Sequence, residues 1–180
     1  MLEQFRKISS GLRYSGLLIV LTLFLATPME IQSTDPIKLL LNFGDIDNSG
    51  RWMVVNDTVM GGVSRSNVNL HSDGYLLFAG EVSTDYGGGF ASVRTYLENL
   101  EISKYEGFIL RVKGDGKTYQ FRCRMGDNIN EISYRNYFQA NNKDWQEILL
   151  PFKEFLPTYR GRVLTNFPQL DPKKIKQFGF

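Results

Sequence analysis

After Pro36 the chain alternates apolar and polar residues with a period of two, and this pattern constrains the fold more than any other. In residues 119–125 the aromatic rings, the cysteine and the methionine occupy every second position, so they share one face of a strand. Segments 75–79 and 108–112 are more continuously apolar, as inner strands of a sandwich are. No long segment shows the 3.6-residue period of a helix. The sequence therefore predicts an all-β sandwich or barrel.

Glycines mark the predicted turns, and no proline interrupts residues 37–150. Residues 114–117, Gly-Asp-Gly-Lys, separate two predicted strands and predict a β-hairpin turn in which glycine supplies a positive φ. Residues 145–150 form a further predicted strand, and only residues 152–156 suit a single helical turn. The pattern is one of many short strands joined by turns.

Composition excludes several function classes. The 180 residues carry 21 Lys and Arg against 19 Asp and Glu, a net charge of +2, which is too balanced for a nucleic-acid binder that relies on bulk charge. Cys123 is the only cysteine, which excludes an intramolecular disulfide and a multi-cysteine zinc site. His71 is the only histidine, lies in a predicted turn and has no nucleophile motif beside it. The glycine run 87–89 leads into a predicted strand, whereas phosphate loops precede a helix. The sequence thus predicts no enzyme activity, no cofactor and no nucleic-acid partner.

Residues 1–33 differ from the rest of the chain. Arg6, Lys7 and Arg13 precede an uncharged apolar run at 17–26, which is short for a stable bilayer-spanning helix but has the length of a secretory-signal core. We expect this segment to direct export or membrane association, with an uncleaved anchor or an organelle transit peptide, and hence a mitochondrial location, as alternatives. Residues 34–180 are then a single β-sandwich domain, large enough to bury one core.

Residues 45–50 begin like a calcium loop, with Asp45 and Asp47 at alternate positions and Gly50 at the sixth. The twelfth position is Asn56 rather than a bidentate glutamate, and no predicted helices flank the segment. A plain polar turn is therefore favoured, and no metal site is predicted.

The densest polar and glycine-rich segment is residues 52–64. Asn56, Asp57 and the Gly61-Gly62 pair can shape a ligand-binding loop, because glycine lets a backbone approach closely. The alternative is a tight turn in which Asn56 and Asp57 hydrogen-bond to their own backbone. Both alternatives stay open from the residues alone.

A second candidate surface lies on the predicted strands near residue 122. Arg122, Arg124 and Arg135 can share an exposed sheet face with three aromatic residues, Tyr134, Tyr137 and Tyr159. Arginine and aromatic side chains dominate binding hot spots, so this face is a candidate for a protein partner or for stacking on sugars. The alternative is an ordinary solvated strand face.

Residues 55–64, Val-Asn-Asp-Thr-Val-Met-Gly-Gly-Val-Ser, together with Trp52, resemble the signature of the complex I intermediate-associated protein 30 family. Segments 78–83, 88–94 and 110–117 agree in order, as do 145–155 and 160–161. The resemblance runs from about residue 40 to the C-terminus. It implies a galactose-binding-like, jelly-roll β-sandwich and the role of mitochondrial family members, which are chaperone-like factors in building respiratory complex I. It implies no catalytic residues and no cofactor.

The resemblance and the residue patterns together give a set of candidate ligand- or partner-binding residues. They are Trp52, Asn56, Asp57, Met60, Gly61, Gly62, Ser64, Arg122, Arg124 and Tyr134. The predicted partner is a protein, namely subunits of a membrane or respiratory complex.

Two features depart from the family pattern. The apolar run at 17–26 favours export, and residues 177–180 end where such domains usually continue into a last core strand, so the sandwich is expected either to lack that strand or to continue beyond this sequence. An open edge predicts that the fragment 34–180 self-associates. The alternative functions are an exported carbohydrate-binding module of the cell envelope, with Tyr134, Tyr137 or Tyr159 as stacking platforms, and an enzyme that uses acidic residues such as Asp57 and Asp85.

Overall fold

The computed structural model describes the backbone of residues 2–6 and all atoms of residues 37–45, 50–97, 100–126, 132–141 and 144–180. These residues form twelve strands. The strands are β1 (Leu2–Arg6), β2 (Trp52–Asn56), β3 (Arg65–His71), β4 (Tyr75–Glu81), β5 (Ala91–Tyr96), β6 (Gly107–Val112), β7 (Thr118–Arg124), β8 (Ser133–Gln139), β9 (Gln146–Pro151), β10 (Leu156–Tyr159), β11 (Arg162–Val163) and β12 (Gln177–Gly179). Short 3₁₀ turns occur at Asp57–Met60, Asp85–Gly87, Phe152–Glu154 and Pro172–Lys174.

The strands build two antiparallel sheets. The first sheet has the order β3-β4-β1-β6-β9, and the second has the order β11-β10-β8-β7-β12-β5-β2. Side chains from both sheets meet in one apolar core, where the Phe108 ring of β6 lies edge-on to the Phe121 ring of β7, with 5.1 Å between the centroids. The predicted all-β sandwich is thereby confirmed.

The predicted alternation on β7 is also confirmed. Phe121 and Cys123 are fully buried in the core, so Arg122 and Arg124 point to the opposite face of the sheet. Burial raises the pKa of the Cys123 thiol well above its ordinary value, which fits a small core residue rather than a nucleophile. The aromatic core beneath β7 therefore fixes where these two arginines lie.

The predicted hairpin at residues 114–117 is wrong. Although Gly116 has the expected positive φ of 86°, β6 and β7 belong to different sheets. The turn backbone bonds instead to the segment after β8, because the Gly114 and Gly116 N–H groups donate to Asn141 and Ala140 carbonyls at 2.7 Å each. Two turn-separated strands resemble a hairpin locally, but the pairing of each strand is decided by distant partners.

The two ends of the described chain lie inside sheets. β1 pairs antiparallel with β4 and β6, and β12 pairs antiparallel with β5 and β7. Because β1 belongs to the segment 1–33, its removal would leave β4 and β6 unpaired on that side, which sharpens the prediction that the fragment 34–180 self-associates. The apolar run 17–26 lies outside the described residues. In the part of the chain that is described, no helix has the length and hydropathy to cross a bilayer.

Candidate functional site

The first candidate surface is the motif loop, residues 57–64, which follows β2. The loop starts with the 3₁₀ turn Asp57–Met60 and reverses at Gly61, whose φ of 93° is left-handed and suits glycine. The Gly61 N–H donates to the Thr58 carbonyl at 3.2 Å, and the Gly62 N–H donates to the Asp57 carbonyl at 3.0 Å. The chain then enters β3 through Ser64.

The Asp57 carboxylate holds this loop to a second loop. Its side chain is only 1% exposed and accepts hydrogen bonds from the Ser64 N–H at 2.9 Å and from the Ser64 hydroxyl. It also accepts bonds from the N–H groups of Gly89 at 2.7 Å and Phe90 at 3.3 Å. The glycine loop, residues 83–90, is therefore bound to the motif loop through one buried carboxylate.

These donors set the protonation of Asp57. Burial alone raises the pKa of a carboxyl group, because it disfavours the charged form. The Ser64 hydroxyl and the N–H groups of Gly89, Ser64 and Phe90 act more strongly in the opposite direction and lower the pKa of Asp57 to about 2. The group is thus ionised at neutral pH, with its hydrogen bonds supplied from within the chain.

Two glycines make room for this carboxylate. A Cβ on Gly62 would collide with the Asp57 side chain, and a Cβ on Gly88 would lie 2.5 Å from Asp57 Oδ2. Gly61 differs, since a Cβ there would meet nothing within 4 Å and only its φ favours glycine. The Gly61-Gly62 pair therefore serves two needs, a left-handed turn and a close approach.

The alternative prediction, that Asn56 and Asp57 close a tight turn through hydrogen bonds to their own backbone, is wrong. Asn56 makes no side-chain bond to the 3₁₀ turn, and its Oδ1 accepts from the Ser66 hydroxyl at 2.6 Å. Asp57 bonds to residues 7, 32 and 33 positions away. Ser64 extends the network, because its hydroxyl oxygen accepts from the Ser83 N–H at 3.0 Å. These candidate residues hold the two loops together.

The apolar tip is defined as Val59, Met60 and Tyr86, the most exposed apolar and aromatic side chains of these two loops. Val59 is 69% exposed, Met60 71% and Tyr86 80%. Tyr86 also has a φ of 54°, which is uncommon for a residue other than glycine. Hydrogen bonds to Asp57 hold both loops in place, so the backbone that carries these side chains is fixed.

Trp52 belongs to the core rather than to an open ligand loop. Its ring lies 6.1 Å from the rings of Phe43 and Phe178 and stacks on Phe180 at 6.2 Å, all measured between centroids. The tryptophan of the motif therefore anchors β2 beneath the motif loop.

The second candidate surface is the arginine face, defined as Arg94, Arg122, Arg124 and Arg135 on the side of the larger sheet away from the core. The strand registers place residues of six strands in one row across this face, in the order Met53, Arg94, Gly179, Arg122, Arg135 and Leu156. Arg124 lies two residues along β7 and pairs with Gln177 of β12. The sequence predicted three of these arginines, and the structure adds Arg94.

Neutral groups supply the hydrogen bonds that these arginines make. Arg122 donates to Gln120 Oε1 at 2.6 and 3.0 Å and to the Ser133 hydroxyl at 3.0 Å. Arg124 donates through Nη1 to Gln177 Oε1 at 2.8 Å. Among the described residues, no salt bridge involves an arginine of this face.

Burial and neighbouring positive charges lower the pKa values of three arginines on this face. Burial, followed by the nearby charges of Arg94 and Arg122, lowers the pKa of Arg124 to about 10. Burial and the charges of Arg135 and Arg94 likewise lower the pKa of Arg122. Burial also lowers the pKa of Arg94. The strand registers bring these like charges close together.

The expectation that Tyr134 shares this face is wrong. Tyr134 pairs with Cys123, points into the core, is 0% exposed and donates its hydroxyl to the Pro168 carbonyl at 3.0 Å. Tyr137 does share the face, with the Arg135 guanidinium 5.1 Å from its ring centroid. Tyr159 is partly exposed. One of the three predicted sugar-stacking platforms is thus buried.

The remaining sequence candidates have ordinary surroundings. His71 ends β3 and stacks on Tyr75 with 4.4 Å between the ring centroids. The glycine run 87–89 leads into β5, as predicted. Asp47 of the predicted polar turn lies outside the described residues. Among the residues that are described, no three His, Cys, Asp or Glu side chains are grouped so that they could hold a metal ion.

Sequence reasoning missed two sets of residues at these surfaces. Gly88 and Gly89 appeared as an unsuitable phosphate loop and within a matching segment, but not as candidate site residues, although both lie against the Asp57 carboxylate. Arg94 appeared only within a matching segment, and its alternation with inward-facing Val93 and Thr95 is the signal that could have placed it outward.

The family model and the named relatives that match this chain carry the same family description. A family model described as complex I intermediate-associated protein 30 (CIA30) matches residues 41–180. An uncharacterised Schizosaccharomyces pombe protein is 30% identical over 159 residues, which cover 78% of this chain and 73% of that protein.

Two animal relatives carry the family's name. The mitochondrial complex I intermediate-associated protein 30 of Drosophila melanogaster is 23% identical over 177 residues, covering 87% of this chain and 60% of the fly protein. Its Mus musculus namesake is 21% identical over 173 residues, covering 85% and 53%. This chain thus spans little more than half of the animal proteins' length. The match to the family model over most of its length shows that the chain belongs to the complex I intermediate-associated protein 30 family.

Proposed function

We propose that this chain is a non-enzymatic, chaperone-like binding protein that assists the assembly of mitochondrial respiratory complex I. Family membership supports the proposal, as do the names of the fly and mouse relatives, which associate those proteins with complex I intermediates and with mitochondria. The single observation that carries a binding role is the apolar tip, with Val59 and Met60 about 70% exposed on a loop held by a buried, hydrogen-bonded carboxylate.

Binding through the apolar tip gains free energy from burial and loses little conformational entropy. Apolar side chains that are held out in water gain free energy when a partner covers them. A loop that is already fixed loses less conformational entropy on association than a mobile loop does. The bonds from Ser64 and Gly89 to Asp57 fix the support of the tip before any partner arrives. Methionine also adapts its shape to different surfaces, which suits a factor that contacts incompletely built subunits.

The proposed location is the mitochondrion. Two relatives are named as mitochondrial, and the basic residues and apolar run of segment 1–33 were compatible with an organelle transit peptide as one alternative. We therefore propose respiratory complex subunits as the partners.

The test is co-migration with partly built complex I. The tagged full-length chain is expressed in its host, mitochondria are solubilised in mild detergent, and complexes are separated by native electrophoresis with detection of complex I subunits. We expect the wild type to migrate with a subcomplex and V59S/M60S to lose this association while remaining folded.

A matched control is L70S, since Leu70 is an exposed apolar residue on β3, away from the tip. It should retain the association. A wild-type chain that never migrates with complex I subunits would refute the role in assembly. Equal association of V59S/M60S and the wild type would refute the tip as the contact.

A further inference from the structure

The arginine face carries charge that the described part of the chain does not neutralise. Arg94 Nη1, Arg124 Nε and Arg135 Nε are buried donors without a hydrogen-bond partner among the described residues. Arg124 is only 7% exposed, yet among the described residues only its Nη1 atom has a hydrogen-bond acceptor. A buried charge without a counter-charge is unfavourable, and leaving a buried donor unpaired adds a further penalty. A ligand that brings negative charge would offset the cost of the uncompensated charge.

The spacing of the face defines the size of such a ligand. Neighbouring strands lie about 4.8 Å apart, so the row from β5 through β12 and β7 to β8 spans about 14 Å. Arg122 and Arg124 are two residues apart on β7, which separates their Cα atoms by about 7 Å. Gly179 stands between Arg94 and Arg122 in the row, so no side chain separates these two arginines. A ligand with several negative groups spaced by about 5–10 Å matches this pattern.

The rim of the face indicates the chemical class of the ligand. Met53, Tyr96, Tyr137 and Leu156 border the arginines, and each is nearly half exposed. An apolar and aromatic border favours a partner that brings carbon as well as charge, which a phosphate group does not. Carboxylates accept paired hydrogen bonds from guanidinium groups, and carboxylate side chains two positions apart on a strand have the required spacing. Protein segments combine these features.

We propose that the arginine face binds an acidic segment of a protein partner, whose carboxylates pair with the half-buried guanidinium groups of Arg94, Arg122 and Arg135. The proposal deepens the proposed function, because it rests on the chain acting as a protein-binding module. It names the chemistry of a partner segment and concerns a surface distinct from the apolar tip. The alternation of basic and apolar groups gives orientation as well as attraction.

The test uses the purified full-length chain and a fluorescein-labelled peptide of alternating Glu and Ser, followed by fluorescence anisotropy at low salt. We expect binding that weakens as salt rises, because the attraction is electrostatic. The matching Lys-Ser peptide should not bind. R94Q/R122Q should bind at least about tenfold more weakly than the wild type. R94Q alone should show a smaller loss, and it replaces the double variant if that variant does not fold.

The matched control is R65Q/K153Q, which changes the net charge equally at two exposed positions elsewhere. It should bind like the wild type. If both double variants bind the Glu-Ser peptide equally weakly, net charge alone explains the binding and the proposal is overturned. Inorganic pyrophosphate that binds where the Glu-Ser peptide does not would also overturn it, in favour of a small anion.

An intramolecular explanation is tested in parallel. Asp127 and Glu131 fall between β7 and β8 in the sequence, outside the described residues. We expect D127N/E131Q to unfold at the wild-type temperature and to bind the Glu-Ser peptide. The proposal is overturned if D127N/E131Q lowers the unfolding temperature and the addition of R94Q/R122Q lowers it no further. That result would show that these carboxyl groups already pair with the arginines. Peptide binding without complex I association would refute only the proposed function.

Discussion

The motif loop and the arginine face differ in how their buried charges are compensated. In the motif loop, one carboxylate accepts bonds from Ser64, Gly89 and Phe90, so its negative charge is held by donors of the same chain. On the arginine face, like charges lie together and three guanidinium donors have no partner among the described residues. A charge with internal partners stabilises the fold, whereas a charge without them stores unfavourable free energy that a ligand can release. The first pattern indicates a structural site, and the second is the surface that we propose as a binding site.

The largest effect that this comparison predicts is the loss of stability in D57N. The amide group would present hydrogen atoms to donors that now face an acceptor, and each buried donor left without an acceptor costs about 1–3 kcal/mol. Urea unfolding at neutral pH measures the difference. D85A is the matched control, because Asp85 lies exposed in the neighbouring glycine loop and should change little. If D57N is as stable as the wild type, the conclusion that the Asp57 carboxylate stabilises the fold is wrong.

The next effect concerns Gly62. G62A should lower the free energy of unfolding by about 1–3 kcal/mol, because the added methyl group overpacks against the Asp57 side chain. G61N is the control, since asparagine tolerates a left-handed φ and the space beside Gly61 is open. Thermal unfolding followed by circular dichroism compares the two. If G61N proves the more damaging change, the site is limited by turn geometry rather than by access to the carboxylate.

The comparison also predicts a pH dependence. The folded-state pKa of Asp57, about 2, lies below the ordinary value of 3.8, so the unfolded chain takes up this proton first as pH falls. The stability that Asp57 contributes is therefore complete above about pH 5 and is lost progressively as pH falls through about 2. Unfolding free energies of the wild type and D57N, measured from pH 5 downward, should converge. Parallel curves would contradict the assignment.

The smallest effect on stability belongs to the arginine face. R94Q should change the free energy of unfolding by no more than about 0.5 kcal/mol, because the substitution removes a charge that its neighbours repel. Urea unfolding of R94Q beside G62A tests this ranking directly. A loss as large as that of G62A would mean that Arg94 has a stabilising partner in the chain, and the contrast between the two surfaces would fail.

Local periodicity explains which predictions were correct. The inward positions of Phe121 and Cys123 follow from alternation alone, because successive side chains of a strand point to opposite faces. The same rule, applied to β8, would have placed Tyr134 inward opposite Cys123, whereas grouping it with Arg135 by composition put it on the wrong face. The predicted hairpin at 114–117 failed because its turn residues carry no information about which strands pair.

The sequence by itself determined the all-β class, the faces of the main strands and the family, since these depend on short-range alternation and on a contiguous motif. Only the tertiary structure decided that Asp57 binds Gly89, 32 residues away, and that β12 brings Arg94 beside Arg122. The physical reason is that hydrogen-bond partners and strand neighbours are fixed by the packing of the whole sandwich, whereas alternation is fixed by the geometry of a single strand.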